Sequence, residues 1–220
     1  MPSSIILTHN RSKYVWAPSR STPSAKQNIA ELPVIIDQLT AFKVKSVVDF
    51  GAGRGRNSLL LARTYREVTL VEDSTNIPIL NHLVETSGAT NITVQTWQQY
   101  RNEANPKLFD AIFICFVVHT LPGTNMRSAI IRTNLAHLKS RGLLVFITPN
   151  HDSKYTENNL SHAVHFRDGI VRLHAGQKSF SFYRNYTQDE FTALIDGSGL
   201  QITSSVPSHS RMIFVCQRKY

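Results

Sequence analysis

The segment Val47-Val48-Asp49-Phe50-Gly51-Ala52-Gly53-Arg54-Gly55-Arg56-Asn57 constrains this chain more than any other. An apolar run that ends near an aspartate and passes into three glycines at alternate positions reads as a buried strand, a tight turn and the first turn of a helix. Glycine there lets the backbone turn sharply and come close to a ligand, with a helix amino terminus facing it. Spacing excludes two phosphate-binding versions of such a turn. The dinucleotide fingerprint G-x-G-x-x-G fails, because counting from Gly51 puts Arg56 at the third glycine and counting from Gly53 puts Ser58 there. The phosphate-cradling Gly-Lys-Ser/Thr ending is also missing. What remains is Asp-x-Gly-x-Gly-x-Gly.

Around this turn, apolar runs and turn signals alternate over residues 45–148, which predicts a mostly parallel sheet with helices between its strands. Strands are expected at 45–50, 67–71, 91–95, 110–117 and 143–148, and helices at 57–65, 77–87 and 125–138. Farther on, Thr187 with Glu190 forms a capping box for a helix ending near Gly197. Two strands follow at 201–206 and 212–217, close enough to pair antiparallel, which brings the expected total to seven.

Two segments stand outside the alternation. Residues 1–23, rich in Ser, Pro, Thr and Arg, read as a basic N-terminal arm, with Ile5, Ile6, Tyr14, Val15 and Trp16 as packing points. The remaining 24–220 read as one α/β domain of Rossmann-like design, interrupted at 149–186 by a stretch too long for an ordinary connection. Within that stretch Asp168-Gly169 lies between VHFR and IVRL, a hairpin signal, and 178–184 alternates polar with aromatic residues. A small antiparallel flap is the expectation.

At this point the residues resemble the class I S-adenosylmethionine-dependent methyltransferases, which carry an acidic residue on strand one followed by this glycine series. Gly55-Arg56-Asn57-Ser58 is similar to the tellurite-resistance type of that superfamily. The resemblance covers roughly residues 45–217 and implies a seven-stranded sheet in the order 3-2-1-4-5-7-6, strand seven antiparallel, with helices on both faces. It also implies S-adenosylmethionine as cofactor, held by Asp49, Gly51, Gly53, Gly55, Arg56 and Asn57 in the loop. Glu72, after Val68-Thr69-Leu70-Val71, matches the acid that accepts hydrogen bonds from both ribose hydroxyls, with Asp73 as its competitor in register. The family's usual aspartate after strand three is missing here. Thr96-Trp97-Gln98-Gln99 stands in its place, so Gln98 would contact the adenine through its amide and Trp97 would stack on it, or Trp97 simply packs. Asp110, at the start of strand four, matches a residue with a mainly structural role. At that strand's far end Phe116-Val117-Val118-His119-Thr120-Leu121 resembles the segment leading into the acceptor pocket, making Phe116 a cofactor contact and His119 the candidate catalytic residue. With its ordinary pKa of about 6.5, His119 would take a proton from an acceptor hydroxyl or amine; the alternative is a polar cap on the strand end.

Methyl transfer from a sulfonium is an in-line displacement, so alignment of acceptor, methyl and sulfur carries much of the catalysis. No metal is required, and His162, His165 and His174 match none of the usual zinc spacings. The acceptor is less constrained. Amino-directed DNA methyltransferases carry an Asp/Asn-Pro-Pro-aromatic tetrad after strand four, where this chain has Val-His-Thr-Leu, and neither Cys115 nor Cys216 follows a proline as in the cytosine-C5 enzymes. A small or medium-sized acceptor is therefore expected. An RNA- or other nucleic-acid-directed enzyme is the alternative, with Arg167, Arg172, Lys178 and Arg184 beside Phe166, Phe180, Phe182, Tyr183 and Tyr186 in the flap. A non-catalytic cofactor-binding or partner subunit is the third reading.

Composition bears on that choice. The formal net charge of +9 comes from 24 Lys and Arg against 15 Asp and Glu, and it speaks to association rather than to fold. It is uneven: residues 1–30 hold Arg11, Lys13, Arg20 and Lys26 with no carboxylate, and residues 111–151 hold Arg127, Arg132, Lys139 and Arg141 with none. Arg54 or Arg56 would serve the donor's carboxylate, leaving the other regions for an anionic partner. Two cysteines inside apolar runs suit a reducing cytoplasm. The longest apolar run, Ala111 to Val118, is far below the roughly 18 residues needed to span a bilayer, so no membrane partner is expected. Oligomeric state is not legible.

Overall fold

The computed structural model describes residues 6–9, 12–16, 29, 31–149, 163–166, 169–173, 179–208 and 211–219. Arg11, Arg20, Lys26, His162, Arg167, Asp168, His174 and Lys178 from the arm and flap lie outside them, and along 6–16 and 163–173 only the backbone course is described. In chain order the elements are β1 (Ile6–His9), β2 (Ser12–Trp16), α1 (Leu32–Thr40), β3 (Ser46–Phe50), α2 (Ser58–Thr64), β4 (Glu67–Glu72), α3 (Ile77–Ser87), β5 (Ile92–Thr96), α4 (Trp97–Arg101), β6 (Phe109–Cys115), a 3-10 turn at Val118–Thr120, α5 (Thr124–Ala136), β7 (Leu138–Pro149), β8 (Ala163–Phe166), β9 (Gly169–Leu173), β10 (Ser179–Tyr183), α6 (Gln188–Ile195), β11 (Leu200–Ser208) and β12 (Arg211–Arg218).

Seven strands form one sheet in the order β11-β12-β7-β6-β3-β4-β5. Numbered from first to seventh along the chain, this is 3-2-1-4-5-7-6, as the resemblance implies. The pairs β3–β4, β3–β6 and β4–β5 are parallel. A second sheet of five strands has the order β1-β2-β10-β9-β8. The expected hairpin is there, with β8 and β9 antiparallel and Phe166 opposite Gly169, and β10 adds to β9 antiparallel. The arm segments join it: β1 and β2 pair antiparallel, and β2 runs parallel to β10 with Val15 opposite Ser179.

The chain divides into two compact units. One comprises residues 21–115, 133–145 and 217–220. Its centre is β3, whose five residues are all buried, because a parallel strand flanked on both edges has helices over both faces and meets no water. Burial of Val47 and Val48 alone contributes roughly 1.5–3 kcal/mol each. Asp110 fixes the register of β6 against β3: its Oδ2 accepts the N–H groups of Lys45 and Ser46 at 3.0 and 2.9 Å, and Lys139 Nζ lies 2.7 Å from its Oδ1.

Three helical features of the chain depart from the sequence expectations. No helix was expected at α1, although Leu32, Ile35, Ile36 and Leu39 fall on one buried stripe behind a proline in the first turn. Nor was α4 expected, although Thr96 and Gln99 form a capping box. The helix expected to reach Leu138 stops at Ala136, and β7 begins at Leu138 rather than at Leu143. A distant residue accounts for this early start: Arg218 Nη1 donates to the carbonyls of Leu135 and Leu138 at 3.3 and 2.8 Å.

The other unit comprises residues 1–20, 116–132 and 146–216. Phe191 of α6 is its anchor, stacked on Phe214 at 4.0 Å and meeting Phe146 and Tyr186 edge-on at 5.0 and 5.7 Å. The expected capping box starts α6, with Glu190 Oε2 accepting the Thr187 N–H at 2.9 Å and Thr187 Oγ1 accepting the Glu190 N–H at 3.2 Å. No helix among the described residues is long and apolar enough to cross a membrane.

Candidate functional site

The glycine turn is held by the strand beside it. The N–H groups of Gly51 and Ala52 both donate to the Val71 carbonyl, at 2.8 and 3.2 Å, so the turn leaves β3 clamped to β4. Gly51, Gly53 and Gly55 have φ of 74°, 61° and 78°, in the left-handed region that costs other residues about 1–2 kcal/mol. Two of these glycines serve different ends. A Cβ on Gly55 would stand 2.2 Å from Leu83 Cδ2, so this glycine lets α3 pack close. A Cβ on Gly53 would meet nothing within 4 Å, so the loop faces open space there.

Glu72 ends β4 directly beside that space. Its Oε2 accepts the Gly53 N–H and its Oε1 accepts the Asp73 N–H at 2.8 Å. A carboxylate offers about four lone-pair sites, so two remain for further donors. Asp73 instead turns back on its own chain, its Oδ1 accepting the Thr75 N–H at 3.1 Å. Asp49 is buried at 2% exposure and accepts the Ser58 hydroxyl at 2.9 Å, which ties the end of β3 to the start of α2. Burial pushes the Asp49 carboxyl up to about 6, opposed by the Ser58 bond, raised further by Glu72 and lowered by Arg56. Asn57 is buried as well, its Oδ1 accepting the Ile29 N–H at 3.3 Å, whereas Arg54 is exposed and Arg56 half-buried.

Trp97 and Gln98, placed by sequence reading after the third strand, form the first turn of α4. Both are half-buried. Trp97 packs edge-on against Phe50 with ring centroids 5.0 Å apart, beside the strand that feeds the glycine turn.

Phe116 and His119 come together in the other unit. Phe116 holds a φ of 57°, uncommon for a residue with a side chain and typical of functional turns. Its N–H donates to the Ile147 carbonyl at 2.8 Å, and the Arg211 guanidinium lies 5.6 Å from its ring centre. His119, in the 3-10 turn, is 7% exposed. Its ring meets Phe116 edge-on at 5.7 Å and Tyr183 at 6.2 Å, and its carbonyl accepts the Arg184 N–H at 2.8 Å. The sequence expectation of an imidazole near pKa 6.5 does not hold. Burial alone pushes it down to about 3, so the ring is neutral at physiological pH, and its Nδ1 is buried without a hydrogen-bond partner. Sequence reading found the residue and missed its burial, which comes from Tyr183, sixty-four positions away along the chain.

The comparisons with known proteins decide the family. A family model described as a methyltransferase domain matches residues 24–205, most of the chain. The chain belongs to the methyltransferase domain family. The match is to the domain at large and does not single out the tellurite-resistance type. No curated protein matches this methyltransferase by sequence. Solved structures share its fold at low identity. An S-adenosylmethionine-dependent methyltransferase from Methanosarcina mazei superposes with TM-score 0.68 at 16% identity, over 87% of this chain and 99% of that one. One from Clostridium acetobutylicum gives 0.65 at 12% identity, over 86% and 90%. The 1,6-didemethyltoxoflavin-N1-methyltransferase of Burkholderia thailandensis, solved with its acceptor and S-adenosylhomocysteine, gives 0.62 at 17% identity, over 87% and 79%.

Proposed function

We propose that this methyltransferase moves the methyl group of S-adenosylmethionine to a small or medium-sized acceptor, with the glycine turn and Glu72 holding the donor and His119 at the acceptor. The observation that carries the reading is the bond from the Gly53 N–H to Glu72. It sets a carboxylate with spare lone pairs at the edge of the open space that Gly53 faces, which suits a ribose with two vicinal hydroxyls. When bound, the donor supplies a methyl group on a positively charged sulfur that is ready to depart. Glu72 rather than Asp73 is assigned as the ribose acid, because it is the Glu72 carboxylate that is fixed to the Gly53 N–H at the tip of the turn. Trp97 and Gln98 are assigned to the adenine, and Arg56 with Asn57 and Asp49 to the support of the loop. Phe116 is assigned to the methionine end of the donor.

His119 receives the proton that an acceptor hydroxyl must lose. An imidazole with a pKa of about 3 takes little from a neutral hydroxyl before reaction. It takes the proton within the methyl-transfer step, as the forming bond makes the acceptor oxygen strongly acidic, and burial then favours the proton's release to solvent. Support for a small acceptor comes from the Burkholderia thailandensis methyltransferase, solved with 1,6-didemethyltoxoflavin bound.

Calorimetry with S-adenosylhomocysteine on the wild type, Gly53→Arg and Glu72→Ala tests the donor site. Binding to the wild type, its loss in Gly53→Arg and a Kd raised about ten- to a hundredfold in Glu72→Ala are expected. Equal binding in all three would overturn the assignment.

A further inference from the structure

We propose that the unit holding His119 carries an acceptor subsite for an uncharged planar molecule with a hydroxyl or ring N–H, read by His119 Nδ1, Thr148 Oγ1 and the Tyr186 hydroxyl. The inference rests on the methyltransferase reading above and adds the chemical class of the acceptor.

Buried polar atoms in a native protein nearly always have partners, because desolvation without compensation is costly. Among the described residues, four buried side-chain atoms have none: the Tyr65 hydroxyl, His119 Nδ1, Thr148 Oγ1 and the Tyr186 hydroxyl. The last three belong to one compact unit. A short chain of contacts connects them. Thr148 follows Ile147, whose carbonyl accepts the Phe116 N–H, and the Phe116 ring meets His119. The His119 carbonyl accepts the Arg184 N–H, and the Arg184 guanidinium lies 5.1 Å from the Tyr186 ring centre. Thr148 and His119 also sit at or just beyond the carboxyl ends of β7 and β6, the edge at which α/β sheets take their ligands.

The chemistry of the three atoms selects the ligand. Burial pushes His119 down to about 3 and the Tyr186 phenol up, and threonine does not titrate, so all three are neutral donors or acceptors at working pH. Neighbouring cations among the described residues are already engaged: Arg184 with Glu190 at 3.1 Å, Arg127 with the Leu121 carbonyl at 3.0 Å and over the Phe182 ring, and Arg211 over the Phe116 ring at 5.6 Å. An anionic acceptor would lose its hydration there against neutral groups, whereas an uncharged one needs only hydrogen bonds. Shape agrees. Phe116 and Tyr183 pack on the imidazole at 82° and 43°, so a flat aromatic ligand reaching His119 meets further rings beside it.

The test uses the full chain, its Thr148→Val and Tyr186→Phe variants and the double variant. Radiolabelled donor is offered with phenol, catechol and benzimidazole, with the anionic counterparts salicylate, protocatechuate and benzimidazole carboxylate, and with bulk transfer RNA. The expected result is methylation or calorimetric binding of at least one neutral probe, at kcat/KM or affinity about tenfold or more above its anionic counterpart. Each single variant should raise KM or Kd for that probe about tenfold, the worth of one lost hydrogen bond, while the Kd for S-adenosylhomocysteine stays within a factor of two. The ligand-free Tm of both variants should hold or rise, because each removes an unsatisfied buried group. A preference for the anionic probes or for RNA, no response to any neutral probe, or an unchanged KM and Kd in the double variant, as when the three atoms hold water alone, would each overturn the subsite. Failure of the wild type to bind S-adenosylhomocysteine would sink the donor reading separately, since neutral-probe binding is also measured without it.

Discussion

The backbone N–H of Gly53 donates to Oε2 of Glu72, nineteen positions along the chain, so the tip of the glycine turn and the end of β4 are fixed to each other. Oε1 of the same carboxylate is engaged by the Asp73 N–H, and the carboxylate is therefore oriented before any ligand arrives. Removing it should cost twice, in the loop and in the ribose contact. Glu72→Ala is expected to raise the Kd for S-adenosylhomocysteine by about ten- to a hundredfold, the range for leaving a polar partner unpaired at roughly 1–3 kcal/mol. Glu72→Gln keeps one acceptor oxygen but presents an amide to one of the two N–H groups, so it should fall between. Calorimetry of the three proteins orders them, and an affinity for Glu72→Ala equal to the wild type would refute the pairing's role.

Gly53 and Gly55 separate folding from binding. Gly55→Ala brings a Cβ against Leu83 as well as an unfavourable φ, so it should lower stability by about 2 kcal/mol. Leu83→Ala in the same chain removes the contact but leaves the φ penalty, which predicts only partial recovery relative to Leu83→Ala alone. Gly53→Ala has open space for its Cβ and should lose about 1 kcal/mol from φ alone, while its larger effect falls on S-adenosylhomocysteine affinity. Urea unfolding and calorimetry on the same variants read the two effects apart. A Gly53→Ala protein less stable than Gly55→Ala would contradict the geometry.

The parts of the fold legible in sequence are those whose cause is local. The strand at 46–50 is visible as an apolar run because both of its faces are covered, and the helix at α6 is visible because its capping box needs only Thr187 and Glu190. The same four-residue signal stands at Thr96 and Gln99, but the five-residue helix it starts is too short to show an apolar period. Nothing local announces the parallel pairing of β2 with β10, more than 160 positions away, because main-chain pairing carries little side-chain signature. The early start of β7 depends on the Arg218 side chain, which comes from near the far end of the chain. Among the candidate residues, the glycine turn, Glu72 and His119 are legible by residue type. The charge state of His119 is not, because its burial is assembled by Phe116 and by Tyr183 from a different strand.

Stability against pH should show two buried groups working in opposite directions. Asp49 is raised from 3.8 to about 6 when folded, so below 3.8 it carries no penalty, and ionising it as pH rises toward 6 costs about 3 kcal/mol at about 1.4 kcal/mol per unit. His119 is lowered from 6.5 to about 3, so its contribution is fully present above 6.5 and is lost as pH falls toward 3. Between about pH 4 and 6 the two slopes oppose each other. Asp49→Asn should therefore expose the histidine alone, with stability falling steadily on acidification below 6.5. His119→Phe should expose the aspartate, with stability rising as pH drops from 6 toward 4. Denaturant titrations at pH 4, 5, 6 and 7 check the signs, and parallel pH profiles in the two variants would rule out both assignments.

The same depressed pKa makes a kinetic prediction for His119. A catalytic imidazole near 6.5 would give kcat/KM an acid limb close to neutrality. With the ring neutral down to about 3, kcat/KM for an uncharged acceptor should stay level from pH 8 to pH 5, as far as this group governs it. His119→Gln keeps a polar side chain of similar reach but removes the basic nitrogen. It should retain S-adenosylhomocysteine affinity within a factor of two and lose about a hundredfold or more in kcat, the span that general base catalysis supplies. If kcat in His119→Gln matches the wild type, the proton leaves by another route and His119 only packs against Phe116 and Tyr183. A wild-type acid limb in kcat/KM centred near 6.5 would show instead that the imidazole is solvated in the free enzyme, against its burial beside Tyr183.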